Sequence, residues 1–264
     1  MIKCLRLTIG LSLQHTAKRF AGHSKWQNIR HTKAANDIAR SQMYSRLGQR
    51  IKIAIAENGN NNNPETNNAL AQVLDLCRVK NMPNASIQSF LKLSKVDKSS
   101  AKTVWFDLLG PNGVFFLVNT YTDNSARTKA NIRSCIKKHR LSLEGNLRGN
   151  FVHKGIIKTK PKADANVENI LDACIDDAIT VGAEDALEDS TESGVFLFHC
   201  DPNHVLSVKK KLIDLGYEVI EADDYYMPLK FVSLTDDETV EDLEKAIEKL
   251  NALPEVVKIY DNIE

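Results

Sequence analysis

Acidic residues are missing from the front of this chain; the first one among 264 residues is Asp37. Cysteine is sparse and stands at positions 4, 77, 135, 174 and 200 with no C-x-x-C spacing. An odd, scattered set of thiols argues against a disulfide framework or a zinc site and fits a reducing compartment such as the cytosol or the mitochondrial matrix. Cys200 and His204 share a C-x-x-x-H spacing with no second pair nearby, so His199 and Cys200 read as the end of a strand. No apolar run approaches the roughly 20 residues of a membrane span. There is no P-loop, no G-x-S-x-G, no H-E-x-x-H and no Rossmann glycine fingerprint. Acid clusters at Asp176-Asp177, Glu184-Asp185, Asp236-Asp237-Glu238 and Glu241-Asp242 read as solvated surface or a helix N-terminus, where the macrodipole favours anions. These absences leave no catalytic residue, cofactor, metal or small-molecule substrate to assign, and the chain reads as a non-enzymatic protein.

What is present is a charge split hidden under a net charge of +1. Residues 1–160 carry 27 Lys and Arg against 8 Asp and Glu, and residues 161–264 carry 8 against 26. Such asymmetry predicts a polyanion-binding front and an acidic rear. The densest basic stretch is Ala21 to Lys33. There Lys25, Arg30 and Lys33 can each neutralise a phosphate, His23 and His31 can donate hydrogen bonds, and Trp26 offers a stacking face. Trp26 and Ile29 packed into a core, with the cations solvated, is the competing reading. Ahead of it, residues 1–20 are basic and acid-free with Leu5, Leu7, Ile9, Leu11 and Leu13, the composition of a mitochondrial presequence. Arg19-Phe20 before Ala21 resembles a processing site.

Several motifs then carry a resemblance: Ala21-Gly22-His23-Ser24-Lys25-Trp26, Ile29-Arg30-His31-x-Lys33, Asn81-Met82-Pro83, Gly110-Pro111-Asn112-Gly113-Val114, Thr122-Asp123-Asn124, Arg127-Thr128 and Gly182-Ala183-Glu184-Asp185. Together the chain from Ala21 to its C-terminus resembles the YebC family, which includes a mitochondrial translational activator. The resemblance implies a three-domain fold and a mitochondrial translation factor in the matrix, engaging the ribosome near the site of peptide-bond formation. Its partners would be large-subunit rRNA and, with it, mRNA or tRNA, and its role would be to ease stretches such as consecutive prolines. A DNA-binding transcriptional regulator is the alternative, since bacterial YebC-like proteins often carry that label. Family members usually have a Gly-Gly-Asn-Leu-Gly run after the first basic helix of the middle domain; the stretch Arg140 to Asn150 keeps only Asn146-Leu147.

The expected fold class is α+β: a helical domain, then two ferredoxin-like α/β domains, the middle one discontinuous. Residues 21–97 read as helical. Tyr44, Leu47, Ile51 and Ile55 mark one face of a helix over about 37–57, with Arg46 and Arg50 turned away from it as candidate RNA contacts. Gly59 is its expected cap, and 60–64 an expected mobile loop. Leu70, Val73, Leu74 and Cys77 predict a second helix that stops before Asn81-Met82-Pro83. Met82 has two readings, a helix-corner gap filler or an apolar tip that reaches into RNA. Residues 98–150 predict two strands joined at Gly110–Gly113, then a helix capped near Asn124. Ile132, Cys135, Ile136 and His139 form its buried stripe; Lys129, Arg133, Lys137 and Arg140 form a basic row able to track a phosphate backbone. Residues 151–225 read strand, helix, strand, strand, helix, strand, a split β-α-β unit. Residues 226–264 predict a strand near Leu229–Leu234, a helix Thr239–Leu250 and a strand Val256–Tyr260, too small alone and so expected to complete the 98–150 unit.

Overall fold

A computed structural model describes residues 33–96, 101–162, 170–189 and 192–264. The expected presequence, and His23, Lys25, Trp26, Arg30 and His31, lie outside the described residues; Lys33 opens the first helix, and its side chain is not described.

Three helices come first: α1 (Lys33–Glu57), α2 (Asn68–Val79) and α3 (Asn84–Val96). Leu47, Ile51, Ala54 and Ile55 of α1 bury against Leu70, Val73, Leu74 and Cys77 of α2 and Ile87 of α3. A Cβ at Gly48 would overlap the Phe90 ring, so α1 and α3 approach closely only because a glycine stands there. Gly59 ends α1 with φ +64, the left-handed conformation glycine adopts without steric cost. The polar loop behind it, expected to be mobile, is tied down by amides. Buried Asn67 caps α2 by accepting from the Leu70 N–H at 3.0 Å, and its Nδ2 donates to the Ala54 and Asn61 carbonyls at 2.9 and 2.8 Å.

Strands β1 (Lys102–Leu109) and β2 (Phe115–Thr122) form the expected hairpin, in register from Lys102 opposite Thr122 to Leu109 opposite Phe115. Helix α4 (Ser125–Ile136) follows, then β3 (Ser142–Glu144), β4 (Phe151–Lys160), α5 (Ile170–Val181), β5 (Asp185–Glu188), β6 (Phe196–Cys200), α6 (Val205–Asp214), β7 (Glu218–Pro228), α7 (Asp237–Asn251) and β8 (Val256–Asp261). They make two four-stranded sheets, ordered β3-β1-β2-β8 and β5-β6-β4-β7, with every ladder antiparallel. The last strand returns to pair with β2, so one sheet is assembled from separated parts of the chain. Its core sets Phe106, Leu108, Phe116 and Val118 against Ile132 and Ile136 of α4 and Leu243, Ala246 and Leu250 of α7. In the second sheet Ile157, Phe196 and Phe198 pack on Cys174 and Ala178 of α5 and Val208 and Leu212 of α6.

Two expectations need correction. The stretch Leu229–Leu234 is not a strand: only Val232 forms a bridge, to Ile263, while Val232 and Leu234 lie against the α4–α7 core. The last strand of the second sheet, expected to end within 151–225, runs on to Pro228. That extension carries Asp223, Asp224, Tyr225 and Tyr226 to the junction of all three units.

Candidate nucleic-acid interface

Helix α4 begins at an Asn124 cap, whose Oδ1 accepts from the Arg127 N–H at 3.0 Å. Thr128, Ile132 and Ile136 face the core, which turns Lys129, Arg133 and Lys137 outward, one helical turn apart and exposed. Among the described residues none of these three makes an ion pair. Three unpaired cations on one face can each meet a phosphate. Arg140 does not continue the row. The helix ends at Ile136, and Arg140 lies in the following turn. Its guanidinium is 3.5 Å from Glu238 and 3.4 Å from Thr239 Oγ1 on α7. Next to it buried His139 holds Asp242 at 2.8 Å.

Arg46 and Arg50 do turn away from the helical core, but toward the two sheets rather than solvent. Arg46 Nη2 donates to the Asn251 carbonyl at 2.6 Å, and burial lowers its pKa from the ordinary value. Arg50, only 16% exposed, forks onto Asp223 at 2.5 and 2.9 Å and reaches Asp224 at 3.0 Å. Burial pulls its pKa down, yet the two carboxylates outweigh this and hold it above its usual value. Lys258 bonds Asp223 at 3.0 Å and the Asp224 carbonyl at 2.9 Å, and His153 bonds the Asp224 carboxylate at 2.8 Å. Burial pushes the Asp224 carboxyl up, but the His153 bond and the Arg50 and Lys258 charges hold it well below the carboxylate range. Neither arginine is therefore offered to RNA. Nearby, Lys80 pairs with Glu221 at 2.5 Å and Lys209 with Asp75. The acidic strand β7 thus neutralises part of the basic helical unit, and the charge asymmetry is partly spent inside the molecule.

Met82 is a core residue. Asn81 takes φ +56, its carbonyl accepts from Tyr44 Oη at 2.8 Å, and the Met82 N–H donates to the Cys77 carbonyl at 2.8 Å. This left-handed corner turns the Met82 side chain, 4% exposed, into the α1–α2–α3 core, and the reading of Met82 as a probing tip is corrected. Cys77 and Cys200 are buried too. Burial pushes their thiols up to about 11 and about 12, so neither is a thiolate at neutral pH.

One group was missed in the sequence. Where the three units meet, a cleft of about 380 Å³ is lined by Trp105, Arg148, His153 and Tyr226. The Arg148 guanidinium lies 4.5 Å from the Trp105 ring centre, and its Nη2 donates to Tyr226 Oη at 2.7 Å. The His153 and Tyr226 rings stack at 4.4 Å and 9°. The legible signal was Trp105 in a β-run and Tyr225-Tyr226 in succession; what brings them together is pairing across distant strands.

Comparison with known proteins agrees with this architecture. Residues 24–95 match the family model described as the TACO1/YebC protein N-terminal domain, and residues 101–263 the model of the TACO1/YebC second and third domain. The chain is similar to the rat translational activator of cytochrome c oxidase 1, 32% identical over 96% of this chain and 85% of the relative. It is also similar to a probable transcriptional regulatory protein of Persephonella marina, 32% identical over 92% of this chain and 96% of the relative. A crystal structure of a conserved hypothetical protein from Aquifex aeolicus superposes with a TM-score of 0.73, at 28% identity, over 91% of this chain and 97% of that one. On this agreement of sequence over both parts of the chain, the protein belongs to the TACO1/YebC family.

Proposed function

We propose that this protein is a non-enzymatic mitochondrial translation factor of the matrix that binds ribosomal RNA of the large subunit. The observation that carries the reading is the α4 face, where Lys129, Arg133 and Lys137 stand exposed at successive turns without an acidic partner among the described residues. The acid-free stretch before Asp37, with Lys25, Arg30 and Lys33, adds further cations in sequence. The rat relative's name supports a role in translation, and the basic leader supports import. In this reading residues 21–97 form the helical domain, 98–150 with 226–264 the middle domain and 151–225 the acidic domain. The strand order β5-β6-β4-β7 supports a ferredoxin-like description of the acidic domain, whereas the middle domain's order β3-β1-β2-β8, with the β1–β2 hairpin at its centre, is a different α/β arrangement. Easing of consecutive prolines, with mRNA or tRNA as further partners, belongs to the same proposal.

A DNA-binding regulator is the second reading, and the names of the bacterial relatives favour it. Binding of the purified protein to large-subunit rRNA fragments and to duplex DNA at equal salt separates the two. Tighter rRNA binding, with log K falling by about 0.7 per phosphate contact as log salt rises, supports the translation factor. Preference for duplex DNA, or affinity independent of salt, contradicts it.

A further inference from the structure

The α4 face reads only phosphates, but the cleft between the three units has the chemistry to hold a base. The geometry points to a site for one unpaired nucleotide, stacked among Trp105, His153 and Tyr226 with its phosphate beside Arg148. The source taken here is a single-stranded segment of RNA, which rests on the RNA-binding reading above; a free nucleotide shares the chemistry. Aromatic faces with an arginine are the usual means of holding splayed bases.

Four observations carry the inference. The first is exposure: Arg148 and His153 are exposed and Trp105 and Tyr226 partly so, whereas the neighbouring Tyr260, which seals the two sheets together, is buried. The second is charge. Arg50, Lys258 and His153 at the cleft are committed to Asp223 and Asp224, but among the described residues the Arg148 guanidinium contacts the Trp105 and Tyr226 rings and the Tyr226 hydroxyl and no carboxylate. It is held over an aromatic face by cation–π attraction that a base and phosphate can share. The third is the pair of lining amides with unmet hydrogen-bonding atoms, Gln72 Nε2 from the helical unit and Asn119 Oδ1 from β2. One is a donor and the other an acceptor, and base edges offer both complements. The fourth is size: about 380 Å³ falls at the lower end of small-ligand pockets, suited to one nucleotide.

Arg148 comes from the 140–150 stretch, in which the glycine-rich family run is altered. The Leu147 N–H is anchored to Asp107 Oδ2 at 2.9 Å, and Asn146 turns the chain with φ +66. That anchored turn sets the next residue, Arg148, over Trp105.

The test uses the full chain with adenosine 5′-monophosphate and a short labelled single-stranded oligoadenylate, measured by calorimetry and fluorescence anisotropy. Ultraviolet cross-links to the oligonucleotide are mapped by peptide. Expected are cross-links in the peptides carrying Trp105 and Tyr226, and a roughly 10-fold weaker single-strand affinity in Arg148→Ala and His153→Ala; Arg148→Ala should melt as wild type, and His153→Ala, which removes the bond to Asp224, should fold but melt lower. Cross-links confined to other peptides, with wild-type affinity in both variants, overturn the site while leaving RNA binding standing. Monophosphate binding that depends on Arg148, in a protein that binds no oligonucleotide, upholds the cleft chemistry and contradicts its RNA source. Absence of binding to both probes overturns the inference altogether.

Discussion

At the scale of single residues, the side chains that sequence offered to RNA divide by what covers them. Met82 is held in the helical core by the left-handed Asn81 corner. Met82→Ala should therefore cost about 2–5 kcal/mol of stability, read as a lowered midpoint in a denaturant melt; an unchanged midpoint would return Met82 to the surface. Arg50 gives a different expectation. Removing one member of a buried ion pair strands its partners, at a typical cost of about 3–5 kcal/mol. Arg50→Ala should loosen the helical unit from β7, seen in solution scattering as a larger radius of gyration. Arg50→Lys should rescue only in part, because an ammonium lacks the fork that spans Asp223 and Asp224. Periodicity placed both arginines off the helical core correctly. It could not reveal that their face meets another sheet, because Asp223 and Asp224 lie more than 170 positions away.

At the scale of elements, local signals were strongest where the backbone conformation itself demanded a residue type. The Gly110–Gly113 turn and the Asn124 cap of α4 were legible for that reason. Strand β3 was not, since three residues carry no period. Leu229–Leu234 misled because its apolar residues cover the end of a core without joining a ladder. Asn67 illustrates how a cap organises more than its own helix. One buried amide accepts from the start of α2 and donates to the end of α1 and to the loop between them. Asn67→Ala should destabilise the helical unit by at least the ~1 kcal/mol of an ordinary cap. Asn67→Asp, which keeps the acceptor and loses both donated bonds, should fall between Ala and wild type. Equal stability of all three proteins in denaturant melts would show the cap to be dispensable.

At the scale of the whole molecule, the opposed charges of front and rear do two jobs. Part of the acidic rear docks the basic helices through Arg50 and Lys80, with Lys258 of β8 joining Arg50 on Asp223, and the cations on α4 face outward. The asymmetry was plain in composition; its partial internal use was not, because composition carries no partner assignment. Acid should undo the docking. The Asp224 carboxyl is held below its unfolded value, so the unfolded chain binds the extra proton. The stabilisation is complete above the ordinary aspartate pKa of about 4 and is lost progressively as pH falls below it. Scattering from pH 7 to pH 3 should show the units separating only in the acid range, and separation on the alkaline side instead would contradict this. In the proposed function the outward cations of α4 engage the ribosome. The most direct measurement of that contact is co-sedimentation of the protein with mitochondrial ribosomes, wild type beside a Lys129→Glu, Arg133→Glu, Lys137→Glu variant. Exposed charge changes typically move stability by only about 0.5 kcal/mol each, so the variant should melt near wild type. Three attractions turned into three repulsions should leave it at the top of the gradient. A folded variant that still travels with ribosomes at wild-type affinity would show that the α4 face is not the ribosome contact.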